Sequence, residues 1–279
     1  MSLSPTDLNC VDQLTLSEFH QRYLQAEKPV IIKGGAANWT AVQKWSPDHL
    51  KNRFGDMPIK ARFLPHGSTS AIEADARPEK PRTLAQFVDT MRHQPADGSW
   101  YLVQQPLASL PEALRRDFGK LKYNSPRMQR LTGHQPYFWM GGPGARTGLH
   151  YDLIHNFNVQ ISGRKGWKLF PRAQQPLLYF GKEGYAHHSE LDIFAEHNPE
   201  YPLLKQATPL EFTLDPGDVL FFPAGWPHCV NCIEESISLN IFSLWFRLND
   251  LKIVFREAPP WIFKKMVFKG RALLGLQTE

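Results

Sequence analysis

Two stretches of this chain alternate polar and apolar residues in a region where a fully apolar run would be expected. In "HNFNVQIS", Asn156, Asn158 and Gln160 alternate with Phe157, Val159 and Ile161; in "SISLNIF", Ser236, Ser238 and Asn240 alternate with Ile237, Leu239 and Ile241. A period of two marks a strand, because successive side chains point to opposite faces. A surface strand would turn its amides to water, whereas a strand lining a cavity would turn them to a ligand. Barrel interiors usually carry the apolar set, so polar faces turned inward signal a site, with the apolar faces packed outward against helices and a second sheet.

The surroundings favour the cavity. From about residue 135 to 246 the chain reads as short strands punctuated by Gly/Pro turns: "PYFWMGGPG", "HNFNVQISG", "RKGWKLFPR", "EFTLDPGDVLFFP" and "SISLNIFSLWFR". Such a block predicts a barrel or sandwich. Residues 1–134 read as α+β support. They contain a capped helix in "LSEFHQRYLQAEK", a strand in "PVIIKGG", and a second helix in "SPDHLKNRFGD" with Ser46 as N-cap and Pro47 at its first position. Strands in "MPIKARFLP", "SWYLVQQPL" and "QPYFWMGG" are separated by helical "RTLAQFVDTMRH" and "LPEALRRDFG". Residues 173–210 look like a long insertion between barrel strands, of the kind that often forms a lid or binding loop. The expected organisation is therefore one main unit over 1–246, with its core at 135–246, and a C-terminal helical segment over 247–279.

Charge and cysteine usage narrow the class. No apolar run approaches the roughly 18 residues needed to cross a bilayer. The start "MSLSPTDLNCVDQ" has neither a basic nor an apolar leader region, which predicts a cytoplasmic protein. Three cysteines do not make a disulfide framework. The net charge of +5 is concentrated: residues 247–279 hold seven Lys/Arg against three Asp/Glu, and 112–130 hold six against two. Such patches suit an acidic peptide, a nucleic acid or a membrane surface, or are merely solvated helix faces.

The chemistry centres on "LHYDLIHN". Read as one strand, it places His150, Asp152 and Asn156 on one face, so a histidine and a carboxylate two apart can reach the same ion. A third ligand must come from elsewhere, and His134, His155, His187, His188, His197 and His228 are the candidates. His155 has the opposite parity and would point out of the cavity. His187, His188 and His197 lie in the insertion. His228 follows "LDPGDVLFFPAGWPH", a Pro-Gly-Asp turn and an apolar strand, so a rigid strand end holds it. Two imidazoles and one carboxylate with open positions form the facial triad of non-haem Fe(II) oxygenases. In "RKGWKLF", Lys165 shares parity with Trp167 and Leu169 while Lys168 lies opposite; a buried ammonium is costly unless an anion pairs with it.

The stretch "WMGGPGARTGLHYDLIHNFNVQISGRKGWKLFP", followed by "LDPGDVLFFPAGWPHCVNCIEESISLNIFSLWF", resembles the JmjC, cupin-like 2-oxoglutarate oxygenases. The likeness is nearest to the subgroup of the asparaginyl hydroxylase that acts on hypoxia-inducible factor. It implies a mainly β fold, a double-stranded β-helix or jelly roll with flanking helices. It further implies Fe(II) on His150, Asp152 and His228, with 2-oxoglutarate and O2 as co-substrates. Lys165 is similar to the lysine that meets the far carboxylate of 2-oxoglutarate. Tyr101 and Thr147 resemble the hydroxyls that help hold it, Asn156 and Asn240 the amides beside the iron, and Trp139 a pocket wall.

The resemblance implies hydroxylation of a protein side chain, with demethylation or an RNA or ribosome-associated substrate as alternatives and a non-catalytic metal-binding cupin as a further one. Related hydroxylases dimerise through C-terminal helices, so the resemblance also implies a homodimer through "PPWIFKKMVFKGRALLG", where Phe263, Met266, Val267 and Leu274 can share a helical face, with intramolecular packing or a membrane-surface helix as alternatives. The rival motif "HCVNC" offers Cys229 and Cys232 to zinc, but only Cys10 remains to complete a thiolate set.

Overall fold

The computed structural model describes residues 8–65, 80–93, 95, 97–124, 136–182, 185–196 and 198–243. The N-terminal support contains β1 (Asn9–Val11), α1 (Leu16–Glu18), β2 (Val30–Ile32), α2 (Thr40–Lys44), α3 (Pro47–Phe54), β3 (Ala61–Pro65), α4 (Leu84–Arg92), β4 (Gly98–Pro106) and α5 (Glu112–Arg115). Then follow β5 (Tyr137–Gly141), β6 (Arg146–His150), β7 (His155–Ser162), β8 (Lys165–Leu169), β9 (Phe180–Lys182), β10 (Tyr185–Ser189), β11 (Leu210–Leu214), β12 (Val219–Phe222), β13 (His228–Cys232) and β14 (Ser236–Ser243).

Strands β5, β7, β12 and β14 lie in an eight-stranded sheet of order β1-β2-β12-β7-β14-β5-β4-β3, and β6, β8, β11 and β13 lie in a six-stranded sheet of order β11-β8-β13-β6-β10-β9. From β5 to β8 and again from β11 to β14 the chain steps to the other sheet at each successive strand, the winding of a double-stranded β-helix, while β8 to β11 stay in the six-stranded sheet. The N-terminal strands widen the first sheet, and its outer face is covered by helices.

That outer face is apolar. Phe157, Val159 and Ile161 of β7 and Ile237, Leu239 and Ile241 of β14 join one buried cluster with Phe19, Tyr23, Leu50 and Phe87 from the N-terminal helices. Asn156, Asn158, Gln160 and Ser238, on the opposite faces, are also buried. The second sheet lies on this polar side, not on the apolar side expected from sequence. The space between the sheets is itself divided, because Ile31, Trp167, Leu214, Leu220 and Phe222 form an apolar half beside the polar one.

Three expectations are corrected in detail. The helix after Thr15 begins with a capping box, Thr15 and Glu18 each bonding the other's backbone. It then widens into a π turn over Phe19–Leu24, where the amide of Gln25 donates to the carbonyl of His20. That turn puts Phe19, Tyr23 and Leu24 all inward. The segment "LPEALRRDFG" forms only one short helix, Glu112–Arg115. The insertion is not simply a loop: β9 and β10 form a hairpin, and β10 pairs antiparallel with β6. It covers an edge of β6 that would otherwise present unpaired backbone groups. Ser46 and Pro47 occupy their expected helix-start positions. The expected C-terminal helix and the segment 247–279 lie outside the described residues.

Candidate metal centre and co-substrate pocket

His150 closes β6, His228 opens β13, and the two are directly paired across these neighbouring strands. Their rings lie 4.2 Å apart between centroids. Asp152 sits two residues past the end of β6. One ligand atom from each of the three residues lies within 4.8 Å of the other two, the only such group of three or more His, Cys, Asp or Glu among the described residues. The parity reading of this segment needs revision: β6 ends at His150 and β7 begins at His155 in the other sheet. The intervening residues turn the chain, and Asp152 is brought to His228 by that turn rather than by a continuous strand.

Each imidazole is fixed by a backbone carbonyl. The Nδ1 of His150 lies 2.8 Å from the carbonyl of Gly148, and the Nδ1 of His228 lies 2.9 Å from that of Trp226. A proton on each Nδ1 leaves Nε2 as the free lone pair, the form in which histidine ligates a metal. The amide of Asn156 donates to Oδ2 of Asp152 at 2.8 Å. His228 Nε2 lies 3.9 Å from that same oxygen. Burial pushes the His228 pKa well down, with His150 adding to the effect, so the ring is held neutral. Burial pushes the Asp152 carboxyl up, opposed by His150 and by the Asn156 bond. A divalent cation would relieve that penalty, so the donor set fits Fe(II) in charge, atom type and open coordination.

The same pocket holds a second polar focus. Lys165, with 2% of its surface exposed, donates to Tyr101 Oη at 3.0 Å and to Ser238 Oγ at 2.7 Å. Thr147 hydrogen-bonds to Tyr101, whose pKa burial pushes up, with Cys232 contributing in the same direction. Burial lowers the Lys165 pKa. An ammonium has three donors, and both bonds found go to neutral hydroxyls. The buried indole N–H groups of Trp139 and Trp167 have no hydrogen-bond partner among the described residues. Spare donors around a buried cation fit a carboxylate.

Tyr101, Trp139, Thr147, Lys165 and Asn240 line one pocket with His150, Asp152 and His228. Asn156 touches the site through Asp152 instead. Sequence reasoning passed over Gln104, Asn158 and Phe242, which line the same pocket. Asn158 donates to Asn240 at 2.6 Å, and the alternation in β7 already placed it on the polar face. Gln104 carried no such signal: it sits in a bulge between Leu102 and Gln105 with φ 51°, which puts it and Val103 both opposite Trp139.

His155 is fully buried on the outer face, where its Nδ1 accepts from the amide of Ala224 at 3.2 Å. His187 and His188 lie on β10, and His134 and His197 are outside the described residues. Cys229 packs with Leu149 and Phe170, whereas Cys232 packs with Tyr101 and Trp139, so the two thiols occupy different clusters on opposite faces of β13. A larger cleft of about 770 Å³ lies between the N-terminal segment and Arg116–Tyr123, away from the triad. Several of its charged groups are already engaged: Arg116 pairs with Glu112, and Asp117 accepts from the Trp45 indole.

A two-histidine, one-carboxylate set inside a jelly roll is the arrangement of non-haem iron oxygenases built on the cupin barrel. The chain belongs to the cupin-like domain family, whose sequence model matches residues 16–249. It is 26% identical over 232 residues to lysine-specific demethylase 8 of Xenopus tropicalis, covering 82% of this chain and 51% of that protein. It is 25% identical over 262 residues to the bifunctional peptidase and (3S)-lysyl hydroxylase JMJD7 of Homo sapiens, covering 84% and 82%. It is also 25% identical over 249 residues to tRNA wybutosine-synthesizing protein 5 of Gallus gallus, covering 83% and 75%. The chain thus spans about half the length of the first of these relatives. These likenesses stand at the level of JmjC-type 2-oxoglutarate oxygenases, coarser than the asparaginyl hydroxylase subgroup suggested by the sequence.

Proposed function

We propose that this chain is an Fe(II)- and 2-oxoglutarate-dependent dioxygenase that hydroxylates a side chain of a protein substrate and releases succinate and CO2. The observation that carries the reading is Lys165: a fully buried ammonium, bonded only to hydroxyls, in the same pocket as the triad. His150, Asp152 and His228 would hold the iron. Lys165, Tyr101 and Thr147 would hold the far carboxylate of 2-oxoglutarate. Held there, Fe(II) would let O2 act as the oxidant and 2-oxoglutarate as its co-reductant, one oxygen atom ending in succinate and the other in the hydroxylated substrate. Asn156 holds Asp152 by its Oδ2, Asn240 presents an amide to the pocket, and the Trp139 indole helps to exclude water from it.

Incubating the purified chain with Fe(II), 2-oxoglutarate and a cell extract, with detection of succinate and of a protein gaining the mass of one oxygen, tests this reading. Formaldehyde release with loss of a methyl group would point to demethylation instead. The relative named for tRNA modification and the basic stretch 112–130 favour one second reading, an RNA substrate. The same experiment with an RNA fraction distinguishes it. No helix among the described residues is long and apolar enough to cross a membrane. A cytoplasmic location, a catalytic unit over 1–246 and a homodimer formed through 247–279 complete the proposal. Light scattering of the full chain and of a form ending near Asn249 tests the dimer.

A further inference from the structure

We propose that Ser238 is a co-substrate-positioning residue: its hydroxyl aims the Lys165 ammonium at the far carboxylate of the bound dicarboxylic acid. The inference rests on the 2-oxoglutarate reading above and adds to it a residue on β14.

Ser238 is fully buried on β14, in the eight-stranded sheet, whereas Lys165 lies on β8 in the six-stranded sheet. Their 2.7 Å bond therefore spans the barrel interior. Tyr101, on β4, takes a second bond from the same nitrogen. A lysine side chain ends in freely turning single bonds, and one acceptor would leave its head group free to rotate about that contact. Two acceptors fix the nitrogen and so fix the direction of the third N–H. That remaining donor belongs to a side chain that lines the pocket shared with His150, Asp152 and His228.

The position of Ser238 also has a local cause. The β7–β14 pairing shifts register between Ile237 and Ser238, and Ser238 lies opposite Gln160 on one side and Trp139 on the other. Its flanking residues Ile237 and Leu239 both belong to the outer core. The hydroxyl is thus held on the pocket face by its neighbours' burial on the other. A hydrogen bond to a charged group in a buried site is worth more than one between neutral groups, so losing this acceptor should weaken co-substrate binding roughly tenfold or more.

The test compares 2-oxoglutarate with 2-oxobutyrate, which keeps the keto-acid end and lacks the second carboxylate. Binding of each to the full chain is measured anaerobically with Mn(II) in the metal site, for the native protein, Ser238→Ala and Ser238→Thr. Ser238→Ala is expected to lose affinity for 2-oxoglutarate while 2-oxobutyrate and Mn(II) bind as before. Ser238→Thr, which keeps an oxygen, is expected to restore most of the loss. Equal weakening of both acids would assign Ser238 a merely structural role and overturn the inference, as would unchanged binding of both. If Ser238→Ala does not fold, the selective affinity of Ser238→Thr against Ser238→Val decides in the same way. Should the native chain bind 2-oxoglutarate no better than 2-oxobutyrate, the 2-oxoglutarate reading itself falls, a result separable from failure of the serine alone.

Discussion

His188 stands directly opposite His150 across the β6–β10 pair, and the two rings stack at 5.4 Å between centroids. Because His228 pairs with His150 on its other side, three histidines stand in a row across adjacent strands. The insertion hairpin therefore backs a metal ligand, and the amide of Tyr151, between His150 and Asp152, donates to the carbonyl of His187. His188→Ala should loosen His150 and lower metal affinity several-fold, whereas His188→Phe, which keeps a flat ring, should lower it less. Mn(II) titration of the two variants checks this, and equal affinities for both and the native protein would refute it.

Metal binding should follow the triad and ignore His155. His150→Ala and Asp152→Ala are expected to abolish tight Mn(II) binding, since each removes a donor atom and Asp152 also removes the only anion. His155→Ala should keep the metal but lose about 1 to 3 kcal/mol of stability, because the Ala224 amide loses a buried acceptor. Calorimetric titration together with thermal unfolding separates the two effects.

Lys165 and Lys168 should behave oppositely. Breaking one side of a buried charge pair costs about 3 to 5 kcal/mol, on the order of a hundredfold or more in affinity. Lys165→Ala should therefore keep metal and lose 2-oxoglutarate. Lys168 forms a surface pair with Glu211 at 3.3 Å, so Lys168→Ala should change little. Equal, near-native 2-oxoglutarate affinities in the two variants would remove the main physical support for the co-substrate assignment.

Co-substrate binding should be linked to proton uptake. Burial lowers the Lys165 pKa in the free protein, and a bound carboxylate would raise it again. The sign follows: affinity is full below the lowered pKa and declines as pH rises through it. The free fold behaves in the reverse sense, because the unfolded chain binds the proton more tightly and stability therefore rises with pH toward the ordinary lysine range. Titrations of 2-oxoglutarate in buffers of different ionisation enthalpy should show protons taken up, and a null result at every pH would contradict it.

Thiol chemistry should be confined to one position. Cys10 is exposed, whereas Cys229 and Cys232 are buried, and burial pushes the Cys229 thiol up to about 12. Brief alkylation of the native protein should label Cys10 alone, as read by peptide mass spectrometry.

The alternations in β7 and β14 made the polar pocket legible, because a period of two survives in any strand whose faces differ. Lys165 was legible for the same reason: parity with Trp167 and Leu169 put it inside. His228 could be placed from its turn and strand context. What parity could not convey was the break after His150, since a turn that changes sheets leaves no mark on a two-residue period. The hairpin in the insertion and the bulge at Gln104 were also hidden. The first depends on an edge of β6 that must be covered, and the second on a single residue that slips the register against Trp139. Ser238 was visible as part of an alternating face, yet its bond to Lys165 joins strands separated by some seventy residues and is set only by closure of the barrel.

The alternation of strands between the sheets has a kinetic consequence. Lys165 sits on β8 and Ser238 on β14, and β7 and β14 pair although Asn158 and Asn240 are 82 residues apart. Contacts of such sequence separation require closure of long loops before any of them is rewarded, which slows folding relative to a chain of local contacts. β14, the last strand among the described residues, completes both the described barrel and the pocket, so ligand affinity should be gained late and all at once during refolding. A metal and a dicarboxylate that bind only the finished barrel then act as selective stabilisers of molecules that have reached the end of the folding path.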